Sequence, residues 1–165
     1  NAGYISNRLW VSSMTGLELV MWEDGEVIPF EQELKELGRM KGPGCRRDAA
    51  SVAAALERWQ EVGFRRSSTF DFRPIEGRPF EPKLWEARLH RSARSDGVHG
   101  YRIFFVQTRR PSTNQQVVVL LMLWAKKGRE TPPRILVEAW RRAERALEAI
   151  ANRTFFGPPD GTGHH

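Results

Sequence analysis

Residues 83–127 read KLWEARLHRSARSDGVHGYRIFFVQTRRPSTNQQVVVLLMLWAKK, and this stretch decides the fold. It contains three runs of strand-forming residues joined by two polar turns. Leu84 to Arg91 alternates apolar and polar side chains, the period of a half-buried strand. Gly100 to Gln107 is β-branched and aromatic through Tyr101, Ile103, Phe104, Phe105 and Val106. Gln116 to Ala125 is an apolar run without alternation, which predicts a strand covered on both faces. The Ser, Asp, Gly, Pro and Asn residues between the runs favour turn backbones.

Cations interrupt these apolar strands. Arg88 and Arg102 sit inside two of them, and Lys126 and Lys127 end the third. A guanidinium in mid-strand is costly unless it faces water or an anion. Successive strand side chains point to opposite faces. Glu86, Arg88 and His90 therefore share one face of the first strand, and Trp85, Ala87 and Leu89 share the other, assigned to the core. Arg102 and Phe104 oppose Tyr101, Ile103 and Phe105 in the second strand, and Met122, Trp124 and Lys126 align in the third. A consistent register brings Arg88, Arg102 and Lys126 onto one face beside Trp124, suited to a polyanion with stackable bases. A slip of one residue would scatter the set.

Working outward, 165 residues favour one compact domain with tails. A net charge of +6, with arginine much commoner than lysine, favours anionic partners such as nucleic acid. The one cysteine, Cys45, excludes an intrachain disulfide and fits a reducing cytoplasm. It lies beside Gly-Pro-Gly and two arginines, but a lone cysteine without a partnered histidine is rarely a nucleophile. No apolar run approaches the roughly 20 residues of a membrane span, and the first residues lack the apolar centre of a signal peptide.

In chain order, residues 1–13 read as an extension, 14–153 as a single domain, and 154–165 as a Gly/Pro tail whose His164 and His165 resemble a purification-tag remnant. Leu17 to Trp22 predicts a strand, with a turn at Asp24-Gly25. Pro29 to Leu37 predicts a short helix broken at Gly38. A second helix is expected from about Ala49 to Val62, capped by Asp48 and ended by Gly63. Phe64 to Pro82 has no clear period and reads as loop. After the three strands, Thr131 is expected to cap a helix with Pro132 in its first turn. That helix continues to Ala151, with Ile135, Ala139, Ala143, Leu147 and Ile150 on one side. The order β-α-α-β-β-β-α predicts an α+β two-layer domain, helices packed on an antiparallel sheet.

The succession LWEARL, YRIFF, VVVLLMLWAKKGRETPP and a helix of form xxIxxAxxR resembles the phage-derived branch of the HigB/RelE toxin superfamily. The corresponding pattern there is LWELR, YRxxY/F, an apolar strand ending FxKK, and a TP-initiated helix. The resemblance covers Phe72 to Arg145, and only element order from Leu17 to Gly63. It implies a RelE-like fold. It also implies the toxin of a type II toxin–antitoxin system, an endoribonuclease cleaving mRNA on the ribosome without metal or other cofactor. The expected partners are mRNA, the ribosome and a helix-turn-helix antitoxin, with DNA met only through that antitoxin and no membrane involved.

The implied reaction is attack of a ribose 2′-OH on the adjacent phosphate, leaving a 2′,3′-cyclic phosphate and a 5′-OH. It needs cations around the phosphorane, a proton acceptor at the 2′-OH and a donor at the leaving oxygen. By motif position Arg88, Arg102 and Lys126 are the catalytic candidates, with Arg73, Lys127, Trp124 and Arg129 as RNA-binding candidates. Superfamily members often supply a Tyr or His near the end of the last strand, where this chain has Lys126, Lys127, Gly128, Arg129 and Glu130. The acid/base candidates are therefore His90, His99, Glu86 or a lysine of depressed pKa. Two other readings remain open: a toxin of the same fold with a protein target such as gyrase, and a catalytically silent module that binds RNA or an antitoxin. In the bland alternative, Arg88 and Arg102 are structural partners of Glu86 or Glu81, and Trp85 and Trp124 are core.

Overall fold

The computed structural model describes residues 17–39, 43–65, 69–77, 84–90, 98, 100–152 and 154–156, with the backbone alone at 43–46 and 90. Five strands and three helices follow the order β-α-α-β-β-β-β-α: β1 (Leu17–Met21), α1 (Pro29–Arg39), α2 (Pro43–Val62), β2 (Phe70–Pro74), β3 (Trp85–His90), β4 (Gly100–Arg109), β5 (Gln116–Lys126) and α3 (Pro133–Ala151). The strands form one sheet in the order β1-β5-β4-β3-β2. Neighbours are antiparallel except β1, which pairs with β5 in parallel. The fold is thus mixed α+β with a mostly antiparallel sheet.

Strand alternation sorts the core into two halves. On one face Leu17, Leu19, Met21, Tyr101, Ile103, Phe105, Val118 and Leu120 pack against Phe30 and Leu37 of α1 and Val52, Leu56 and Trp59 of α2. On the other, Val20, Trp22, Phe104, Val106, Val117, Val119 and Leu121 pack against Ile135, Ala139, Ala143 and Ala146 of α3. The expected two layers become three where α3 covers this second face. The unalternated apolar run of β5 is explained by this double coverage.

Several local expectations are corrected. Residues 70–74, read as loop, form edge strand β2: Phe70 and Phe72 face the aromatic core while Asp71 and Arg73 face outward. The flanking Arg and Pro residues obscured this short alternation. α2 begins at Pro43, so Asp48 lies inside the helix; it is buried and accepts a hydrogen bond from the Tyr101 hydroxyl across the core. Gly38 is helical, and a Cβ there would meet Ala49 Cβ at 3.6 Å, so it lets α1 approach α2. Gly63, at φ 63°, ends α2 in the left-handed conformation that glycine adopts without strain. Pro132 is the N-cap of α3 with Pro133 at the first helical position, and Thr131 makes no capping bond. Phe155 and Phe156 of the expected tail pack on the α3-side core. Residues 1–16 and 157–165, which hold the extension, most of the tail and both terminal histidines, lie outside the described residues.

Candidate functional site: a cationic sheet face beside a cleft

The strand register brings the mid-strand cations together. Asp71, Arg88, Arg102 and Trp124 form one continuous row across β2, β3, β4 and β5. Arg73, Glu86, Phe104 and Met122 form the next row, and His90, Gly100 and Lys126 the row on the other side. Arg88, Arg102 and Lys126 therefore share one face beside Trp124, the arrangement that the assumed register expects.

A β-bulge makes this possible. Phe104 pairs with Met122, but Phe105 pairs with Leu120, leaving Leu121 without a partner. Leu121 and Met122 consequently both face α3, while Leu120 and Leu123 face α1 and α2. The bulge resets the parity of β5, so that Val117, Val119, Trp124 and Lys126 all lie on the α3 side. Polar groups from both helix layers converge here. Glu33 Oε1 on α1 accepts from the Leu123 backbone N–H and from Arg142 Nη1 on α3, both at 3.0 Å. Arg142 Nη1 also donates to the Leu121 carbonyl at 2.9 Å. β1 ends at Met21, so beyond Leu120 the edge of β5 would otherwise present unpaired backbone groups. The Glu33 and Arg142 side chains close that edge. Burial raises the Glu33 pKa above the usual carboxylate value, against the opposing pull of Arg142.

Glu86 organises the cations. It is 4% exposed, and Arg102 is 5% exposed. Arg88 Nε donates to Glu86 Oε1 at 2.7 Å, and Arg102 Nε lies 3.8 Å from Glu86 Oε2. Glu86 pairs with both arginines, as the bland alternative expects, but Glu86 and Arg102 are buried rather than on a solvated sheet face. Yet one carboxylate cannot neutralise Arg88, Arg102 and Lys126 together. Burial lowers the Arg102 pKa, opposed by Glu86 and reinforced by repulsion from Arg88 and Arg73. Burial also lowers the Lys126 pKa, with further repulsion from Arg102 and Arg88. Like charges directly opposite on adjacent strands destabilise a sheet, so Arg88 facing Arg102 is a local cost.

The other candidates divide. Arg73 stands on this face at the edge strand, exposed, with its Nε donating to Asp71 Oδ2 at 2.9 Å. Trp124 is half-buried against the α3-side core, and Trp85 packs on the opposite face, so both contribute to packing. Lys127 and Arg129 are exposed in the connection from β5 to α3, beyond the cross-strand rows. His90 ends β3 in the Lys126 row, but its side chain lies outside the described residues, as do all of His99 and Glu81. Cys45 is described by its backbone alone. Among the described residues no group of three His, Cys, Asp or Glu could hold a metal ion.

Sequence reasoning missed the cleft that adjoins the cations. About 400 Å³ in volume, it lies between β2 and β3 and the start of α3, lined by Arg73, Ile75, Glu76, Glu86, Arg88, Thr131 and Leu136. The signal available was Phe-Asp-Phe-Arg at 70–73, whose alternation marks a strand with Asp71 and Arg73 on the charged face. No family model matches this chain, and no curated protein matches it.

Proposed function

We propose that the protein is a metal-independent endoribonuclease of the toxin type, cleaving mRNA by 2′-OH attack in a RelE-like fold. The observation that carries this reading is the Arg88–Arg102–Trp124 row with Lys126 beside it, a concentration of positive charge maintained at a structural cost. An RNA phosphate seated on this face meets the partly exposed Arg88 and Lys126 directly. Arg102, held beside Glu86 of the neighbouring strand, adds a fixed positive charge that needs no rearrangement as the phosphorane forms. A lysine whose pKa is lowered releases its proton more readily, which suits Lys126 to protonate the leaving 5′-oxygen, while the 2′-OH proton passes to solvent water. Glu86, directed at two guanidinium groups, is a positioning residue. In this reading the ribosome presents the mRNA, and a helix-turn-helix antitoxin restrains the toxin in the cytoplasm.

The Glu86 clamp also favours a second reading. A carboxylate committed to two arginines suits a surface that binds RNA without cleaving it. Induced expression in a bacterial host separates the two, comparing the wild type with Arg102→Ala and Lys126→Ala. The nuclease reading expects growth arrest with new 5′-OH ends in translated frames, lost in folded variants. Arrest without new ends would move the assignment to a protein target, and absence of arrest to the silent module.

A further inference from the structure

The cleft beside the cations has more definition than phosphate binding requires. Its volume of about 400 Å³ falls in the range of small-ligand pockets. Ile75, just past the end of β2, and Leu136, in the first turn of α3, supply apolar lining. Arg88 lines both this cleft and the cationic row, so a nucleotide with its phosphate on the row has its base within reach of the cleft. The two carboxylates of the lining differ. Glu86 is engaged by Arg88 and Arg102, whereas Glu76 is exposed and makes no hydrogen bond or ion pair among the described residues.

We infer that this cleft is a guanine pocket for the base flanking the scissile phosphate, with Glu76 reading its Watson–Crick edge and Arg73 its O6; the inference rests on the proposed RNA cleavage. An ionised carboxylate only accepts hydrogen bonds, and it accepts two at once from adjacent donors. Guanine presents such a pair in N1–H and the N2 amino group. Adenine turns its N1 lone pair toward the carboxylate, and cytosine does the same with N3. Uracil offers a single N3–H between two carbonyl oxygens. Arg73 spends its Nε on Asp71, leaving its terminal N–H groups for a base oxygen in the cleft it lines.

The test uses uridine hexamers carrying one central guanine, inosine, adenine or cytosine, 2′-deoxy at the nucleotides around that base so that cleavage is blocked there. The guanine hexamer is expected to bind about tenfold or more tightly than the adenine one, with inosine between because it lacks the N2 amino group. Glu76→Gln, an exposed substitution whose folding is checked by an unchanged Tm, brings guanine to the affinity of adenine. Equal binding of all four hexamers by the wild type, or a guanine preference that survives in Glu76→Gln, overturns the pocket. All-ribose hexamers and ribosome-bound mRNA assayed in parallel keep the two readings apart. Preference without cleavage of either substrate keeps the pocket and removes the nuclease, and cleavage without preference does the reverse. Failure to bind any hexamer overturns the pocket, and failure to cleave ribosome-bound mRNA as well overturns the nuclease.

Discussion

The two faces of β2, β3 and β4 are built from alternating residues of the same strands, yet they have opposite characters. Beneath α2, Phe70, Phe72 and Phe105 surround Trp59, with ring centroids 5.4, 4.8 and 4.9 Å from it. Phe64, 5.7 Å from Trp59, extends this contact network. Aromatic edges and faces meeting at such distances add to the gain from burial. On the reverse side of the same backbone stand Asp71, Arg73, Glu86, Arg88 and Arg102. α3 lies over β4 and β5 and leaves this part of β2 and β3 beside the cleft. One face contributes stability, and the other spends part of it to concentrate charge, which in the proposed function receives an RNA phosphate. The cost is tolerable because the aromatic face anchors the same strands.

The largest effect should come from breaking the anchor. Trp59→Ala is expected to cost about 3–5 kcal/mol of unfolding free energy, measured by denaturant titration, while RNA affinity of the remaining folded protein is unchanged. A smaller loss with altered RNA binding would mean the two faces are not separable. Next, Glu86→Ala leaves Arg102 buried beside Arg88 without its counter-charge, and about 3 kcal/mol of stability should be lost. A near-neutral outcome would show that water already solvates the arginines.

The charged face can also be probed in the reverse sense. Arg102→Met replaces a buried guanidinium by an apolar chain of similar length, with Arg88 still able to pair with Glu86. Stability should stay level or rise by about 1 kcal/mol while RNA cleavage falls, the signature of a site maintained against stability. Lys126→Ala should change stability by no more than about 0.5 kcal/mol and reduce the salt slope of RNA binding by about one.

The smallest effect lies away from the site, on α3. Hydrogen bonding from Arg141, helped by Arg142, holds the Glu138 pKa at about 2 against a usual 4.5. A carboxylate with a lower pKa folded than unfolded takes up a proton on unfolding, so its stabilisation is present above about pH 4.5 and disappears as pH falls through about 2. Glu138 is about a third exposed, which screens the contribution. Glu138→Gln should lower Tm slightly at neutral pH and flatten its fall on acidification. Identical acid profiles for both proteins would remove Glu138 from the account.

Much of this arrangement was legible in the sequence because alternation is local. Period-two patterning assigned Trp85, Ala87 and Leu89 to one side and Glu86 and Arg88 to the other, and it put Trp124 and Lys126 together, without knowledge of any partner strand. The unalternated run at 116–125 announced a strand covered twice. β2 stayed hidden because five residues carry little periodic signal, and their strand character depends on pairing with β3. Asp48 has the chemistry of a helix cap, but burial against Tyr101 outweighed that preference and the helix began earlier.

By itself, then, the sequence determined which side chains share a face within each uninterrupted run of strand, since that follows from backbone geometry alone. Only the tertiary structure decided which faces coincide. The Leu121 bulge, the parallel pairing of β1 with β5, the polar closure of the β5 edge and the side of the sheet taken by α3 all depend on contacts between residues distant in the chain. Shifting β5 by one residue would keep every local preference and place Trp124 and Lys126 on the opposite face from Arg102.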